Sequence, residues 1–507
     1  MSERNGLRYG LLGLCVLILI GALALFINRP LPSPAPAAAE PAPAAPAAAP
    51  AASSAAAPLE SLAALDGKAP SRRALQIQSW QTAEGARVLF VEARQLPMFD
   101  LRLTFAAGSS RDDEAPGLAM LTNAMLNEGV PGKDVTAIAE GFEDLGADFG
   151  NGAYRDMAVT SLRSLSAKAQ REPALALFAQ VIGQPTFPAD SLARIKNQVL
   201  AGFEYQKQNP GKLAGLKLFE RLYGTHPYAH PSEGTEKSIP PISIAQLRAF
   251  HASAYAAGNA VIALVGDLDR AEAEAIAAQV SAALPKGPAL PALAEPQAPA
   301  PGLTHIEFPS KQTHLLLAEL GIDRRDPDYA ALSLGNQILG GGGFGTRLME
   351  EVREKRGLTY GIYSGFSPMA ARGPFMISVQ TRAEQSAGTL ELIQQLLADY
   401  LKTGPTQKEL DDAKRELAGS FPLSTASNAD IVGQLGSIGF YNLPLTYLED
   451  FMQQVQGLSV EQVRSAMAKH VDPQALVIVS AGPTVAQQPL PPPTEQPAEQ
   501  PLGVPEH

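Results

Sequence analysis

One segment of the chain, residues 339–361, combines residue types that could bind a ligand's backbone or phosphate. It reads Leu-Gly-Gly-Gly-Gly-Phe-Gly-Thr-Arg-Leu-Met-Glu-Glu-Val-Arg-Glu-Lys-Arg-Gly-Leu-Thr-Tyr-Gly. The glycines formally match the dinucleotide-binding pattern, but that pattern must follow a strand. Residues 329–339 have helical spacing instead, and no Lys-Ser/Thr pair follows the glycines as in a phosphate-binding loop. We therefore reject both nucleotide-binding interpretations.

The elements around this segment can be predicted from its residues. Thr346 is suited to be the N-cap of a helix, and Gly357 is suited to end that helix. We expect a strand over residues 358–364. Arg353 in the last helical turn and Tyr360 in the strand would then converge on one side of a cleft. Alternatively, Arg353 only complements the helix dipole and Tyr360 only packs. The residues that would permit positive φ or close backbone approach in the Gly-rich loop are Gly340, Gly341, Gly342, Gly343 and Gly345.

The same segment resembles the insulinase (pitrilysin) and mitochondrial-processing-peptidase family, in which a Gly-rich loop precedes an R-E-K-R-G-L-x-Y signature. In that family the first Arg and the Tyr of the signature hold the substrate backbone near the scissile bond. The resemblance implies that Arg353 and Tyr360 bind substrate. The Gly-Thr-His-Pro-Tyr run at residues 224–228, with Gly234 and residues 259–267, also resembles family landmarks. The resemblance thus extends over most of the folded region.

The metal-binding motif of active family members has no working counterpart here. Those members carry H-x-x-E-H on a helix, where the two histidines bind zinc and the glutamate acts as general base. The matching positions in this chain are Met120, Asn123 and Ala124. A later helix supplies a further Glu ligand in the family, but residues 191–202 contain no acid and Glu204 is the first. The resemblance therefore implies no metal and no catalytic residue in this chain.

Other chemistry finds little support in the residue pattern. His226 and His230 are four apart, but Pro227 lies between them, so we expect a structural loop. The single cysteine, Cys15, and the absence of a G-x-S-x-G motif exclude the usual nucleophile arrangements. Lys and Arg number 40 against 51 Asp and Glu, a net charge of -11, so we expect no nucleic-acid partner.

The N-terminus predicts a membrane anchor. Residues 9–27 carry no charge over a length that just spans a bilayer's hydrocarbon core. Arg4 and Arg8 precede this run. By the positive-inside rule, residues 1–8 then lie in the cytoplasm and the bulk of the chain lies on the other side of the membrane. A cleaved signal peptide is the alternative, because small residues at 37–39 could form a cleavage site. We expect a single-pass protein of a bacterial inner membrane with most of its mass in the periplasm.

Composition divides the rest of the chain. The two folded halves each end with a helix followed by a buried strand, which indicates an internal repeat. We therefore predict an α+β fold: two homologous α/β-sandwich domains related by pseudo-symmetry, enclosing a cleft and preceded by one transmembrane helix. The predicted segments are a Pro/Ala-rich linker at 28–70, a domain with the degenerate zinc site at 71–284, a linker at 285–301, a domain with the Arg/Tyr pair at 302–482 and a disordered tail at 483–507.

The resemblance also implies a function. Some bacterial relatives work as heterodimers in which one subunit carries the zinc motif and the other carries the Arg/Tyr pair. We expect this chain to be the second kind: inactive alone, without a cofactor, and binding peptide beside a homologous partner that holds zinc. The alternatives are a structural or peptide-binding membrane protein without a proteolytic role, and a hydrolase with an unrecognised site. The sequence leaves homodimer and heterodimer open.

Overall fold

The computed structural model describes residues 75–494. The predicted transmembrane helix and Pro/Ala-rich linker lie outside these residues. Within them, no helix is both long and apolar enough to cross a membrane. The described residues belong to one compact unit.

The first half builds a six-stranded sheet. The strands lie in the order β1-β2-β8-β3-β7-β6, in which β2 and β8 run parallel and the other neighbours antiparallel. Alternation along the third strand turns its apolar side chains toward a core covered by helices of the same half. The strands of the six-stranded sheet are β1 (Gln78–Gln81), β2 (Arg87–Glu92), β3 (Met98–Phe105), β6 (Asp148–Ala153), β7 (Ala158–Leu165) and β8 (Ala260–Gly266). Two short strands, β4 (Gly129–Val130) and β5 (Lys133–Asp134), pair with each other in a separate sheet. The helices are α1 (Leu118–Ala124), α2 (Val135–Glu143), α3 (Lys168–Gly183), α4 (Ala189–Gln206), α5 (Pro210–Tyr223), α6 (Ile244–Ala254) and α7 (Arg270–Ala283).

The second half builds a five-stranded sheet in the order β11-β12-β10-β13-β9. Here β9 and β13 run parallel and the other neighbours antiparallel. The strands are β9 (Gly302–Glu307), β10 (Gln312–Leu320), β11 (Ile362–Phe366), β12 (Pro374–Arg382) and β13 (Val477–Gly482). The helices are α8 (Tyr329–Asn336), α9 (Ser386–Thr403), α10 (Gln407–Ser420), α11 (Asn428–Phe440), α12 (Tyr447–Gly457) and α13 (Val460–His470).

The two sheets repeat one topology. Taken from its other end, the second sheet runs β9-β13-β10-β12-β11, which matches β2-β8-β3-β7-β6 strand for strand. The parallel pair falls at the same place in both sheets. The repeat indicated by the similar ends of the halves is therefore present in the structure, with β8 and β13 as equivalent strands.

Each half covers the other half's sheet with one helix. Helix α5, the third helix after β7, packs on β10 and β13 of the second sheet. Helix α11, the third helix after β12, packs on β2, β3 and β8 of the first sheet. Burying both faces of each sheet in this reciprocal way ties the halves together, because neither sheet is covered on both faces by its own half.

Glycines let α11 lie close to the first sheet. A Cβ added to Gly439 would lie 2.3 Å from Val261 Cγ1 and 2.9 Å from Leu89 Cδ1. We expect Gly439→Ala to lower the free energy of unfolding by about 1–3 kcal/mol, because the core must shift to admit the methyl group. Urea unfolding of the purified chain measures this change.

Gly433 on the same helix provides the matched control. A Cβ there would meet no atom within 4 Å. Gly433→Ala should therefore raise the free energy of unfolding by up to about 1 kcal/mol, since alanine favours the helix. Equal effects of the two substitutions would contradict the close packing of α11.

Two segments without regular secondary structure pack more closely than their composition indicates. In the linker at 285–301, the Pro296 carbonyl oxygen accepts a hydrogen bond from the Arg372 guanidinium over 2.9 Å.

The C-terminal residues differ from the prediction made for them. We predict disorder from residue 483 onward, but residues 483–494 lie against the second half. Gln487 bonds to the backbone at the start of α9, Leu490 packs on the core, and the Thr494 amide donates to Lys355 O over 2.7 Å. These bonds satisfy backbone groups at two helix ends, which composition alone does not predict.

Candidate functional site

The Gly-rich loop joins two helices, as predicted. Helix α8 continues as a π-helical segment (Gln337–Gly341), and the next helix includes the π-helical segment Met349–Glu354. Gly343 and Gly345 have φ values of 77° and 87° and flank Phe344. A Cβ on Gly340 would lie 2.6 Å from Ser364 Oγ in β11. The loop therefore uses its glycines both for positive φ and for close approach to a strand.

Both predicted caps of the helix after the loop are confirmed. Thr346 Oγ1 accepts a hydrogen bond from the Met349 amide, 3.4 Å away. Gly357 has a φ of 58°, and the Leu358 amide after it donates to Val352 O over 3.0 Å. These bonds satisfy polar groups that the helix itself leaves open at its two ends.

The predicted start of the following strand is wrong. We predict a strand over residues 358–364, but β11 begins at Ile362. Thr359 Oγ1 accepts a hydrogen bond from the Gly361 amide and donates to Gly361 O, over 3.1 and 2.9 Å. This local turn takes up backbone groups that a strand would need, so Tyr360 lies before the sheet and not in it.

The structure places Tyr360 and Arg353 in the same segment without joining them. Tyr360 is 89% exposed. The guanidinium of Arg353 lies over the ring of Phe344, 4.6 Å from its centroid, and Arg353 Nε is 3.3 Å from Glu354 Oε1. Over residues 75–494 no hydrogen bond or cation–π contact links Arg353 to Tyr360. The convergence of the two side chains on a substrate stays a prediction.

Phe344 is a site residue that sequence reasoning missed. It is 60% exposed, although a phenylalanine gains most by burial. Its ring forms a cation–π contact with the Arg353 guanidinium. The sequence did contain an indication of this role, because Phe344 is an aromatic residue between two glycines of a loop, where no core position was expected. The segment therefore presents guanidinium donors, a free phenol and an apolar ring to an incoming ligand.

The degenerate motif positions lie on α1 and serve packing. Met120 and Ala124 pack against the hydrophobic core of the first half, as do Val199 and Leu200 of α4. Asn123 is buried, and its Nδ2 donates to Tyr255 Oη over 3.1 Å and to Val159 O over 3.3 Å.

These side chains do not fit zinc. A thioether, a methyl group and an amide engaged in core hydrogen bonds offer none of the imidazole or carboxylate donors that zinc prefers. Glu204, the first acid after the acid-free residues 191–202, lies near the end of α4 and pairs with Lys207 Nζ at 3.0 Å. Its carboxylate is thus used in a surface ion pair.

The N-terminus of α1 is held by a buried carboxylate. Asp112 accepts hydrogen bonds from the Gly117 amide (2.7 Å) and the Ala119 amide (2.6 Å). Burial nevertheless raises the pKa of Asp112 from 3.8 to about 7, since desolvation disfavours the charge.

This raised pKa predicts a pH dependence of stability. The folded chain holds a proton on Asp112 that the unfolded chain has lost, so the free energy of unfolding should fall as pH rises from about 4 to 7, by up to about 4 kcal/mol. Asp112→Asn should flatten this decline in urea unfolding at pH 5, 6, 7 and 8. A slope equal to that of the unchanged chain would contradict the assignment. Glu319, whose pKa burial also raises to about 7, contributes a remaining decline of the same sign.

The Gly-Thr-His-Pro-Tyr landmark has a structural role. His226 Nδ1 accepts from the Tyr228 amide (3.2 Å), and its Nε2 donates to Ala294 O (2.8 Å). Both ring nitrogens are therefore in use. Tyr228 Oη donates to the buried carboxylate of Asp156 and accepts from the Ala371 amide of the second half (3.1 Å). The landmark thus joins the two halves.

One further group of side chains has a composition that could hold a metal. Asp326, Asp328 and His470 bring ligand atoms within 4.8 Å of one another, the single such group in the described part of the chain. Lys469 Nζ lies 2.6 Å and His470 Nε2 lies 2.8 Å from Asp328 Oδ2. Hydrogen bonds from these two side chains lower the pKa of Asp328. The Lys469 ammonium group already pairs with the Asp328 carboxylate, so the three side chains belong to an ion-pair network.

The repeated sheets, the Gly-rich loop and the altered motif helix define a two-part peptidase-like protein without a zinc site on α1. Two family models match the chain. Residues 87–236 match the model of the insulinase family, peptidase family M16, and residues 241–417 match the model of the peptidase M16 inactive domain. The first range contains α1, and the second contains the Gly-rich loop, Arg353 and Tyr360.

Known proteins agree with this assignment. A crystal structure of a peptidase M16 inactive domain from Pseudomonas fluorescens is 76% identical, covers 82% of this chain and 100% of its own, and superposes with a TM-score of 0.81. The non-peptidase homolog YmxG of Helicobacter pylori is 27% identical over 76% of this chain and 89% of its own. A protease structure from Helicobacter pylori, 18% identical, has a TM-score of 0.75 over 81% of this chain and 100% of its own, which shows a shared fold. The chain belongs to the M16 (insulinase) peptidase family.

Proposed function

We propose that this chain is the non-catalytic, substrate-gripping subunit of a heteromeric zinc peptidase of the M16 family. The observation that carries the proposal is the exposure of Tyr360 in the same signature segment as Arg353, whose guanidinium lies over the Phe344 ring. A side chain that is 89% exposed contributes little to folding, so its value lies in contacts outside the chain. Met120, Asn123 and Ala124, in contrast, pack within or against the core.

The two signature residues act on the substrate carbonyl. The Tyr360 hydroxyl and the Arg353 guanidinium donate hydrogen bonds to the oxygen on which charge develops during hydrolysis. They also hold the peptide in register with the catalytic water. That water and the zinc belong to the homologous partner subunit, since this chain's α1 offers no suitable ligand.

The peptide lies in a cleft between the two pseudo-symmetric domains, and the assembly is placed at the periplasmic face of the inner membrane. The uncharged residues 9–27 serve as the membrane anchor in this proposal. Residues 28–70, rich in Pro and Ala, connect the anchor to the folded part.

The test is to isolate the full chain in detergent from its native membranes and identify what co-purifies. We expect an M16 subunit with an intact H-x-x-E-H motif, about one zinc per pair, and peptide hydrolysis that a chelator abolishes. The proposal is overturned if the chain co-purifies with no such subunit, or if the chain alone binds zinc or cleaves peptides at the same rate.

A further inference from the structure

Arg102 lies on the face of the first sheet that α11 covers. Along β3 the side chains of Phe99, Leu101, Leu103 and Phe105 face the core of the first half. Because side chains alternate along a strand, Asp100, Arg102 and Thr104 face the other way. A Cβ added to Gly436 of α11 would lie 2.9 Å from Arg102 Nε and 3.2 Å from Thr104 Oγ1. The stem of Arg102 therefore runs beneath α11.

Arg102 differs from the other arginines of residues 75–494. Each of the others has a hydrogen bond, an ion pair or a cation–π contact. Arg102 has none of these, although it is half-buried and its Nε is shielded from solvent. An unpaired guanidinium in such a place is costly, because burial removes water that the charge would otherwise bind.

The acid on the same face of β3 pairs with a different arginine. Asp100, two residues earlier on the same face, accepts a hydrogen bond from Arg163 Nε at 2.9 Å. The Thr104 hydroxyl on the other side of Arg102 is buried and also lacks a partner. The strand thus presents a cation and a hydroxyl in a row, with no anion of the chain assigned to them.

Hydroxyl groups lie on the sheet face beside Arg102. The register places Ser161 of β7 opposite Arg102, and Gly150 of the edge strand β6 opposite Ser161. A Cβ on Gly150 would lie 2.7 Å from Ser161 Oγ, and a Cβ on Gly152 would lie 3.4 Å from Tyr154 Oη, so these two hydroxyl groups cover the glycines. Arg102 itself is only half-buried, so part of its side chain is accessible to a ligand.

We propose that Arg102 binds a carboxylate of the peptide substrate, an inference that rests on the proposed peptide-binding function. A guanidinium presents parallel N–H donors that match the two oxygens of a carboxylate. The Thr104 hydroxyl, which has no partner in the chain, adds a further donor. The carboxylate comes from the peptide's C-terminus or from an Asp or Glu side chain, and the two sources can be separated experimentally.

The test uses the tagged full chain with everything that co-purifies with it, and fluorescein-labelled random decapeptide pools. One pool has a free C-terminus and acidic residues, a second is C-terminally amidated, a third lacks Asp and Glu, and a fourth lacks both kinds of carboxylate. Fluorescence anisotropy gives the affinities. We expect the fourth pool to bind about 10- to 100-fold more weakly than the first, as for loss of a hydrogen bond to a charged group. The second and third pools identify the source.

Arg102→Met should abolish this difference between pools, and Arg102→Lys should restore part of it. Arg415→Met, at an exposed arginine of α10, removes the same charge and should leave the difference intact. The Arg102→Met variant should keep the thermal midpoint of the unchanged chain, because the substitution removes a half-buried charge that has no partner. A loss of binding in this variant can then be distinguished from a loss of folding.

The possible outcomes are distinct. If all pools bind alike, or if Arg102→Met keeps the preference for a carboxylate, the inference about Arg102 is overturned. If Arg353→Ala still weakens the binding of every pool in that case, the proposed function stands. If no pool binds the assembly, both are overturned.

Discussion

Tyr360→Phe in the assembled peptidase is expected to lower kcat by about 10²- to 10³-fold, the usual loss when one donor to a developing oxyanion is removed. The Tyr360 side chain is 89% exposed and forms no hydrogen bond within residues 75–494. Its hydroxyl therefore has little to contribute to folding, and the loss should fall on the chemical step. Hydrolysis of a fluorogenic peptide by the co-purified assembly gives kcat and KM.

Tyr205→Phe is the matched control, because Tyr205 is also strongly exposed, at 76%, but lies on α4, outside the signature. It should leave kcat unchanged. Both variants should keep the thermal midpoint of the unchanged chain. If Tyr360→Phe keeps full kcat in an assembly that binds peptide normally, Tyr360 does not contact the reacting carbonyl. Other residues must then donate hydrogen bonds to that carbonyl.

Asp156→Ala should have the largest effect on stability, with the free energy of unfolding lowered by about 3–5 kcal/mol. The Asp156 carboxylate is buried and accepts hydrogen bonds from the Tyr228 hydroxyl, the Ala370 amide (2.7 Å) and the Tyr441 hydroxyl (3.4 Å). Two of these donors belong to the second half of the chain. The substitution leaves all three donors without an acceptor in a place that water reaches poorly.

Asp156→Ala should also change the shape of the unfolding transition. Since the carboxylate joins the two halves, we expect loss of cooperativity between them, seen as a broadened or split urea transition. Asp144→Ala, at an exposed aspartate after α2, should change the free energy of unfolding by less than about 0.5 kcal/mol. A single sharp transition at nearly the original midpoint in Asp156→Ala would show that the halves are held together without this cluster.

Local features of the site follow from the sequence because they depend on neighbouring residues. The caps at Thr346 and Gly357 and the helix–loop–helix around the glycines are set by side-chain-to-backbone bonds and by positive φ within a few positions. The loss of zinc ligands at Met120, Asn123 and Ala124 follows from residue types alone once the family is recognised. The repeat of the two halves is visible in their similar ends.

Other features depend on what the chain brings together from a distance. Local patterning predicts Tyr360 in a strand, whereas the Thr359 turn delays β11 to Ile362. The contact of Arg353 with Phe344, nine residues earlier, arises from the path of the loop. The packing of residues 483–494 depends on helix ends that only the folded second half presents.

The sequence by itself determined the family, the Gly-rich segment with its signature, and the absence of zinc ligands on α1, because these reside in residue identity and short spacing. The tertiary structure alone decided that α5 and α11 each cover the other half's sheet, that Asp156 joins the halves, and that Arg102 lacks a partner. The physical reason is that burial and pairing are properties of contacts between residues hundreds of positions apart, and no local pattern records which charges those contacts leave unpaired.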